Sequence, residues 1–169
     1  MHPKNMDLRT SSIGISLIKK YEGWSPTAYR CPSGHLTCCW GHLIRKSEMI
    51  EFKNRTFTKE EGTEVLKKDL IREENGVKRL VKVPLTQNEF DALVSWTFNL
   101  GIGNLASSTL LKTLNRGHKN LVTQQIKRWV YAGGRRLKGL VRRRQAEIQL
   151  WNSYYTYSMA EMFAKYLGR

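Results

Sequence analysis

Glu22, Cys31 and Thr37 are the residues whose types and spacing offer chemistry. Glu22 falls at the C-terminal end of a segment with helical period, where the helix macrodipole disfavours negative charge and Lys or Arg is the usual choice. Its neighbours Tyr21 and Trp24 are large and partly apolar. Both effects work against the ionised carboxylate, which is how a carboxyl group is kept protonated to serve as a general acid. A solvated surface glutamate is the competing reading, and for Glu22 taken alone it is the commoner fate. Cys31 and Thr37 bracket a turn, so both side chains are expected to face a cleft between the first helix and a sheet. An acid, a second polar or nucleophilic group and a hydroxyl across a cleft form the set needed to cleave a glycosidic bond. One group protonates the leaving oxygen while the others hold or activate water on the opposite face. The plainer alternatives are a small buried hydrophobe for Cys31 and an ordinary strand residue for Thr37.

The elements that must position these residues follow from capping signals and period. Ser11 or Ser12 caps a helix whose apolar positions Ile13, Leu17 and Tyr21 recur every four residues, and Gly23 ends it. From Trp24 to about Phe57, short aromatic-rich runs punctuated by Pro26, Pro32-Ser33-Gly34 and Gly41 predict a small sheet with a hairpin turn at 32–34. Thr58-Lys59-Glu60-Glu61 is a capping box that opens a long helix carrying Val65, Leu66, Leu70, Val77 and Leu80, broken by Pro84. Thr86-Gln87-Asn88-Glu89 is a second capping box, opening a helix through Leu93, Trp96 and Phe98. Gly101 and Gly103 predict a loop, followed by helices near 107–115, 120–131 and 139–152, with a turn at Gly133-Gly134 and a short helix in the tail from Tyr154. The expected fold is α+β: one catalytic domain over 1–169, with a β-lobe at 24–57 and a helical lobe from 11–23 and 58–169.

Composition narrows the class. The chain has 169 residues, 40% hydrophobic and 25% charged, which is globular rather than disordered. Its longest apolar run is four residues, Trp129 to Ala132, too short for a membrane span or a secretory core. With a polar stretch from Met1 to Thr10, the expected first location is a cytosol. Cys31, Cys38 and Cys39 are odd in number and have neither a disulfide-framework pattern nor zinc spacing. The net charge is +15, and it is segregated: residues 92–146 carry 11 basic side chains and no acidic one. Such a segment attracts anionic polymers, nucleic acid or an anionic membrane face; a merely solvated basic face is the alternative.

Glu22, Cys31 and Thr37, followed by Gly41-His42-Leu43, resemble the active-site signature of phage-type lysozymes, the endolysin muramidases. The resemblance continues in order through Val83-Pro84-Leu85-Thr86-Gln87, Asp91-Ala92-Leu93-Val94, Phe98-Asn99-Leu100-Gly101, Gly103-Asn104-Leu105, Ser108-Thr109-Leu110, Arg128-Trp129, Ala132-Gly133-Gly134 and Gly139-Leu140-Val141-Arg142-Arg143-Arg144, covering about 12–152. It implies a lysozyme-like fold with the cleft between a small sheet lobe and a larger helical lobe joined by a long helix. It also implies hydrolysis of the β-1,4 bond between N-acetylmuramic acid and N-acetylglucosamine in peptidoglycan, without metal or cofactor. By the same resemblance Glu22 is the proton donor, Cys31 stands where many members have Asp, and Thr37 helps to hold the attacking water. Leu43, Phe98 and Asn99 match saccharide-lining positions, and His42 and Asp69 match a structural pair between sheet lobe and connecting helix.

The sequence departs from that pattern at Cys31 and at Cys38-Cys39-Trp40, where the family has an aliphatic residue, a glycine and an aromatic. Side chains alternate along a strand, so Cys38 and Cys39 are expected on opposite faces. Among Arg142, Arg143 and Arg144, one is expected to approach Glu22 across the cleft. The expected partner is peptidoglycan, with anionic outer-membrane lipopolysaccharide as a second candidate, a monomeric enzyme, no nucleic acid, and a separate membrane pore giving access from the cytoplasm of a bacterial host to the wall. Two readings of other classes compete: a catalytically silent wall- or nucleic-acid-binding domain on the same fold, and membrane disruption by the basic C-terminal third.

Overall fold

The computed structural model describes residues 1–31 and 34–153. After a 3-10 turn at Pro3–Asn5, helix α1 spans Ser12–Glu22, and three antiparallel strands follow: β1 (Ser25–Arg30), β2 (Leu36–Cys39) and β3 (His42–Leu43). A one-turn helix α2 (Met49–Phe52) completes the small lobe. The long helix α3 (Lys59–Leu80) leads to α4 (Gln87–Leu100), α5 (Ile102–Ser107), α6 (Thr109–Asn115) and α7 (Lys119–Ile126). A short hairpin of β4 (Tyr131–Ala132) and β5 (Arg135–Arg136) then precedes α8 (Lys138–Asn152).

Both predicted capping boxes form. The Thr58 hydroxyl accepts from Glu61 N while the Glu61 carboxylate accepts from Thr58 N, and Thr86 and Glu89 do the same for α4. Ser11 is the cap of α1, accepting from Ile13 N and Gly14 N. Two cores form beneath these helices, as the two-lobe reading requires. The larger gathers Ile18, Leu66, Leu70, Val77, Phe90, Leu93, Trp96 and Leu105; the smaller gathers Cys38, Cys39, Ile44, Phe52 and Phe57. Helix α3 serves both, sending Leu66 and Leu70 one way and Val65 the other. Helix α4 is the centre of the large lobe, buried from Asn88 through Thr97 and packed on α8, α3 and α1.

Several expectations are corrected. The buried face of α1 is Gly14 and Ile18, with Ile13 half exposed, because Gly14 lets α1 close onto α4. A Cβ there would lie 2.7 Å from Thr10 Cγ2 and 2.8 Å from Asp91 Cγ. Gly103 lies inside α5, so a short helix stands where a loop was expected, and Ser108 ends it and caps α6. The glycine-rich turn at Gly133-Gly134 closes a β-hairpin that the pattern does not announce. Cys38 and Cys39 do not lie on opposite faces. Cys39 adopts φ +54°, which interrupts the strand alternation and buries both thiols in the small core. The expected tail helix lies outside the described residues, as do two residues of the 32–34 turn.

Candidate active site

Helix α1 ends on the glutamate the sequence singles out. Its cap Gly23 takes φ +74° and turns the chain into the sheet, leaving the Glu22 side chain about one-fifth exposed where the two lobes meet. The carboxyl environment is not the apolar one that Tyr21 and Trp24 suggest. Trp24 turns into the small lobe and packs on Trp40 in a tilted arrangement, with ring centroids 4.8 Å apart. What meets Glu22 is Arg143 of α8, whose Nη1 donates to Oε1 at 2.5 Å. From the β-lobe side, Gly41 approaches so closely that a Cβ would lie 3.3 Å from Oε2. This is the arginine expected to cross the cleft; Arg142 is exposed, while Arg144 is buried and donates through Nη2 to Asn99 Oδ1 at 2.7 Å.

Two recesses flank this point, related through Gly41, which packs on Glu22, and through the adjacent Phe98 and Asn99. Tyr21, Glu22, Asn99, Leu137, Leu140 and Arg143 line one of about 330 Å³. Gly41, Leu43, Phe98 and residues of α3 line a groove of about 530 Å³ between sheet lobe and connecting helix. The groove wall is mixed in charge, with Arg45, Lys68 and Arg72 among Glu48, Glu51, Asp69 and Glu73. Burial raises the Glu73 carboxyl above its ordinary range. The structure thus places Glu22 and Asn99 together in one recess, and Leu43 and Phe98 together in the next.

Thr37 is mostly buried and tied to the groove through strand pairing, opposite Leu43 on β3 and Tyr29 on β1. Its hydroxyl donates to the His35 carbonyl at 3.3 Å. Cys31 stands just past the end of β1, half-buried, its backbone N–H bonded to the His35 carbonyl at 2.9 Å. Cys31 and Thr37 therefore share one hairpin, anchored on one carbonyl. The other two cysteines are poor nucleophiles: burial, reinforced by the neighbouring Cys39 thiol, pushes Cys38 up to about 12, and burial raises Cys39 as well.

His42 holds the sheet lobe to α3 as the sequence predicts, its Nδ1 2.8 Å from Asp69 Oδ2. Nε2 lies 3.4 Å from Glu48 Oε2. Burial disfavours the imidazolium, but Asp69 and Glu48 outweigh it, so His42 titrates above its ordinary value. Sequence reasoning missed the residues behind the site. Ser95 and Glu147 are both fully buried and hydrogen-bonded to each other at 2.9 Å. The available signal was Glu147 itself, an acid three and four residues from two arginines on one helix. Among the described residues no group of three or more His, Cys, Asp or Glu is arranged to hold a metal, and no helix is long and apolar enough to cross a membrane.

Comparison with known proteins places this geometry. A family model described as "Phage lysozyme" matches residues 19–147. The chain is 37% identical to the endolysin of Bacillus phage PZA over 148 residues, covering 86% of this chain and 56% of that protein. It spans about half the length of that relative and of the similar endolysin of Bacillus phage B103. It is 36% identical to the endolysin of Acyrthosiphon pisum secondary endosymbiont phage 1, covering 86% of this chain and 99% of the relative. Among solved structures, the muramidase domain of SpmX from Asticcacaulis excentricus superposes with a TM-score of 0.78 at 32% identity, covering 87% of this chain and 99% of that one.

Proposed function

We propose, from the premise that this chain belongs to the phage lysozyme family, that it is a glycoside hydrolase acting on peptidoglycan. The bond assigned to it is the β-1,4 link between N-acetylmuramic acid and N-acetylglucosamine, and the chain is read as one catalytic domain. The observation that carries this is the placement of Glu22. Its carboxyl is held by Arg143 in one recess, and Gly41, which packs against it, also lines the neighbouring groove that presents Leu43 and Phe98 to a polymer. The mechanism requires a glycosidic oxygen bound there to lie between a proton donor on the large-lobe side and the hairpin of Cys31 and Thr37. In this reading Glu22 delivers the proton to the leaving oxygen, Thr37 holds the attacking water, and Cys31 occupies the position of the second catalytic group. Leu43, Phe98 and Asn99 contact saccharide. The recess beside the groove supplies what the silent-domain reading lacks, a partly exposed carboxyl group next to the surface offered to a polymer.

Incubation of purified peptidoglycan with wild type and Glu22→Gln tests this. New reducing ends from wild type alone are expected; equal release from both, or from neither, overturns the assignment.

A further inference from the structure

Behind the Glu22 recess lies a polar network that the proposed chemistry does not use. Glu147 is 0% exposed, yet its Oε1 accepts from Ser95 Oγ at 2.9 Å, from Arg143 Nε at 3.3 Å and from Arg144 Nη2 at 3.2 Å. Its Oε2 lies 2.9 Å from Arg144 Nε. Arg143 in turn spreads three nitrogens over three acceptors: Nε on Glu147, Nη2 on the Ser95 carbonyl at 3.3 Å and Nη1 on Glu22. A guanidinium is a rigid planar fork, so fixing Nε and Nη2 on α8 and α4 sets the direction of Nη1. Arg144 is aimed at Asn99 in the same way.

We propose that Glu147 is a positioning residue that braces Arg143 against Glu22 and Arg144 against Asn99, so that one buried carboxylate orients both large-lobe residues of the recess. This rests on reading Glu22 as the proton donor. The charge arithmetic supports it. Arg143 and Arg144 are adjacent and nearly fully buried, and two buried guanidiniums without an internal counter-charge repel one another and carry an uncompensated desolvation cost. The charged groups that face this cluster are Arg143 and Arg144 from α8 itself and Glu22 from α1, while α4 contributes the neutral Ser95 and Asn99. Glu147 is therefore the internal acid that lets the two cations sit side by side and leaves one fork free for Glu22.

The test uses Glu147→Gln, which keeps volume and removes charge, with Ser95→Ala as a milder variant that deletes one donor. A brace predicts that kcat falls about tenfold or more in Glu147→Gln with KM changed little, since misplacing a catalytic group costs up to about 10²-fold. The alkaline limb of the pH profile moves to lower pH, because one negative charge fewer faces Glu22 across the two guanidiniums. A structural role alone lowers the height of that profile and leaves its limbs in place. Ser95→Ala removes one donor and no charge, so kcat falls in smaller measure while the limb stays in place, and with the unfolding cycle it keeps the test decisive should Glu147→Gln fold poorly. A variant with near-wild-type kcat and an unmoved limb overturns the proposal. Independently of activity, urea midpoints for Glu22→Gln, Glu147→Gln or Ser95→Ala, and the double variant form a cycle. Non-additivity is expected, and additivity overturns the brace. Should wild type release no reducing ends, the hydrolase reading fails, while this cycle still decides the brace.

Discussion

Glu22 carries the first prediction at the scale of the residue. Glu22→Gln keeps the shape of the side chain and its contact with Arg143 but supplies no carboxyl proton. Turnover on peptidoglycan is expected to fall by about 10²–10⁴-fold with the fold intact by circular dichroism; retention of more than about a tenth of the rate contradicts the role. Cys31 carries the second. Burial of Cys38 and Cys39 leaves Cys31 the accessible thiol of the described residues, so brief alkylation of the native protein should modify it first. That adduct should stop hydrolysis, Cys31→Ala should be severely impaired, and Cys31→Asp should recover much of the rate. Peptide mass mapping locates the adduct, and a fully active Cys31→Ala leaves Cys31 as packing alone.

At the scale of the element, the pair between β3 and α3 makes a pH prediction. His42 titrates above its unfolded value, so its contribution is complete below the ordinary histidine pKa of about 6.5 and is lost as pH rises through the raised folded value. Asp69→Asn should therefore destabilise the protein by roughly 1.5–3 kcal/mol at pH 5, the range for a hydrogen bond to a charged group, and by much less at pH 9. Urea unfolding at the two pH values measures the difference; an equal loss at both assigns the effect to packing. The cap of α3 gives a second check. Thr58→Ala removes the hydroxyl that accepts from Glu61 N and should cost about 0.5–2 kcal/mol at neutral pH, measured by the same urea unfolding.

For the whole molecule, the basic segment 92–146 divides once it is folded. Of the 11 cations in 92–146, Arg143 and Arg144 are buried around Glu147, and Lys119 pairs with Glu89 at 2.6 Å. The other eight, including Arg135 and Arg136 on the exposed β4–β5 hairpin, face solvent. These can steer the protein to an anionic envelope polymer over a Debye length of about 8 Å. Lysis of whole cells is expected to fall steeply with added salt, while hydrolysis of short soluble oligosaccharides changes little. Turbidity and reducing-end assays across a salt series distinguish the two, and equal sensitivity points to a structural cause. Lysis that persists in Glu22→Gln favours membrane disruption by the C-terminal third.

Local chemistry was legible without coordinates because it is written in short spacings. The capping boxes at Thr58 and Thr86, the glycine after Glu22, the hairpin carrying Cys31 and Thr37, and the pairing partner of His42 all follow from turn and cap chemistry or from the family likeness. The α+β division followed from where the period changes near Trp24 and Phe57. The arginine run announced that one guanidinium would approach Glu22; which one, and the Ser95 and Glu147 that hold it from behind, were not legible, because they come together only when α8 packs on α4 and α1. Local neighbours suggested an apolar setting for the carboxyl; tertiary packing sent Trp24 to Trp40 and brought a guanidinium instead. The burial of Cys39 likewise depends on a left-handed backbone that no strand pattern encodes, since it arises where β2 must turn within a closed core. Sequence alone decided which groups are present and which elements carry them, because those depend on neighbours in the chain. The environment of each group was decided by contacts between distant helices, which exist only in the folded molecule.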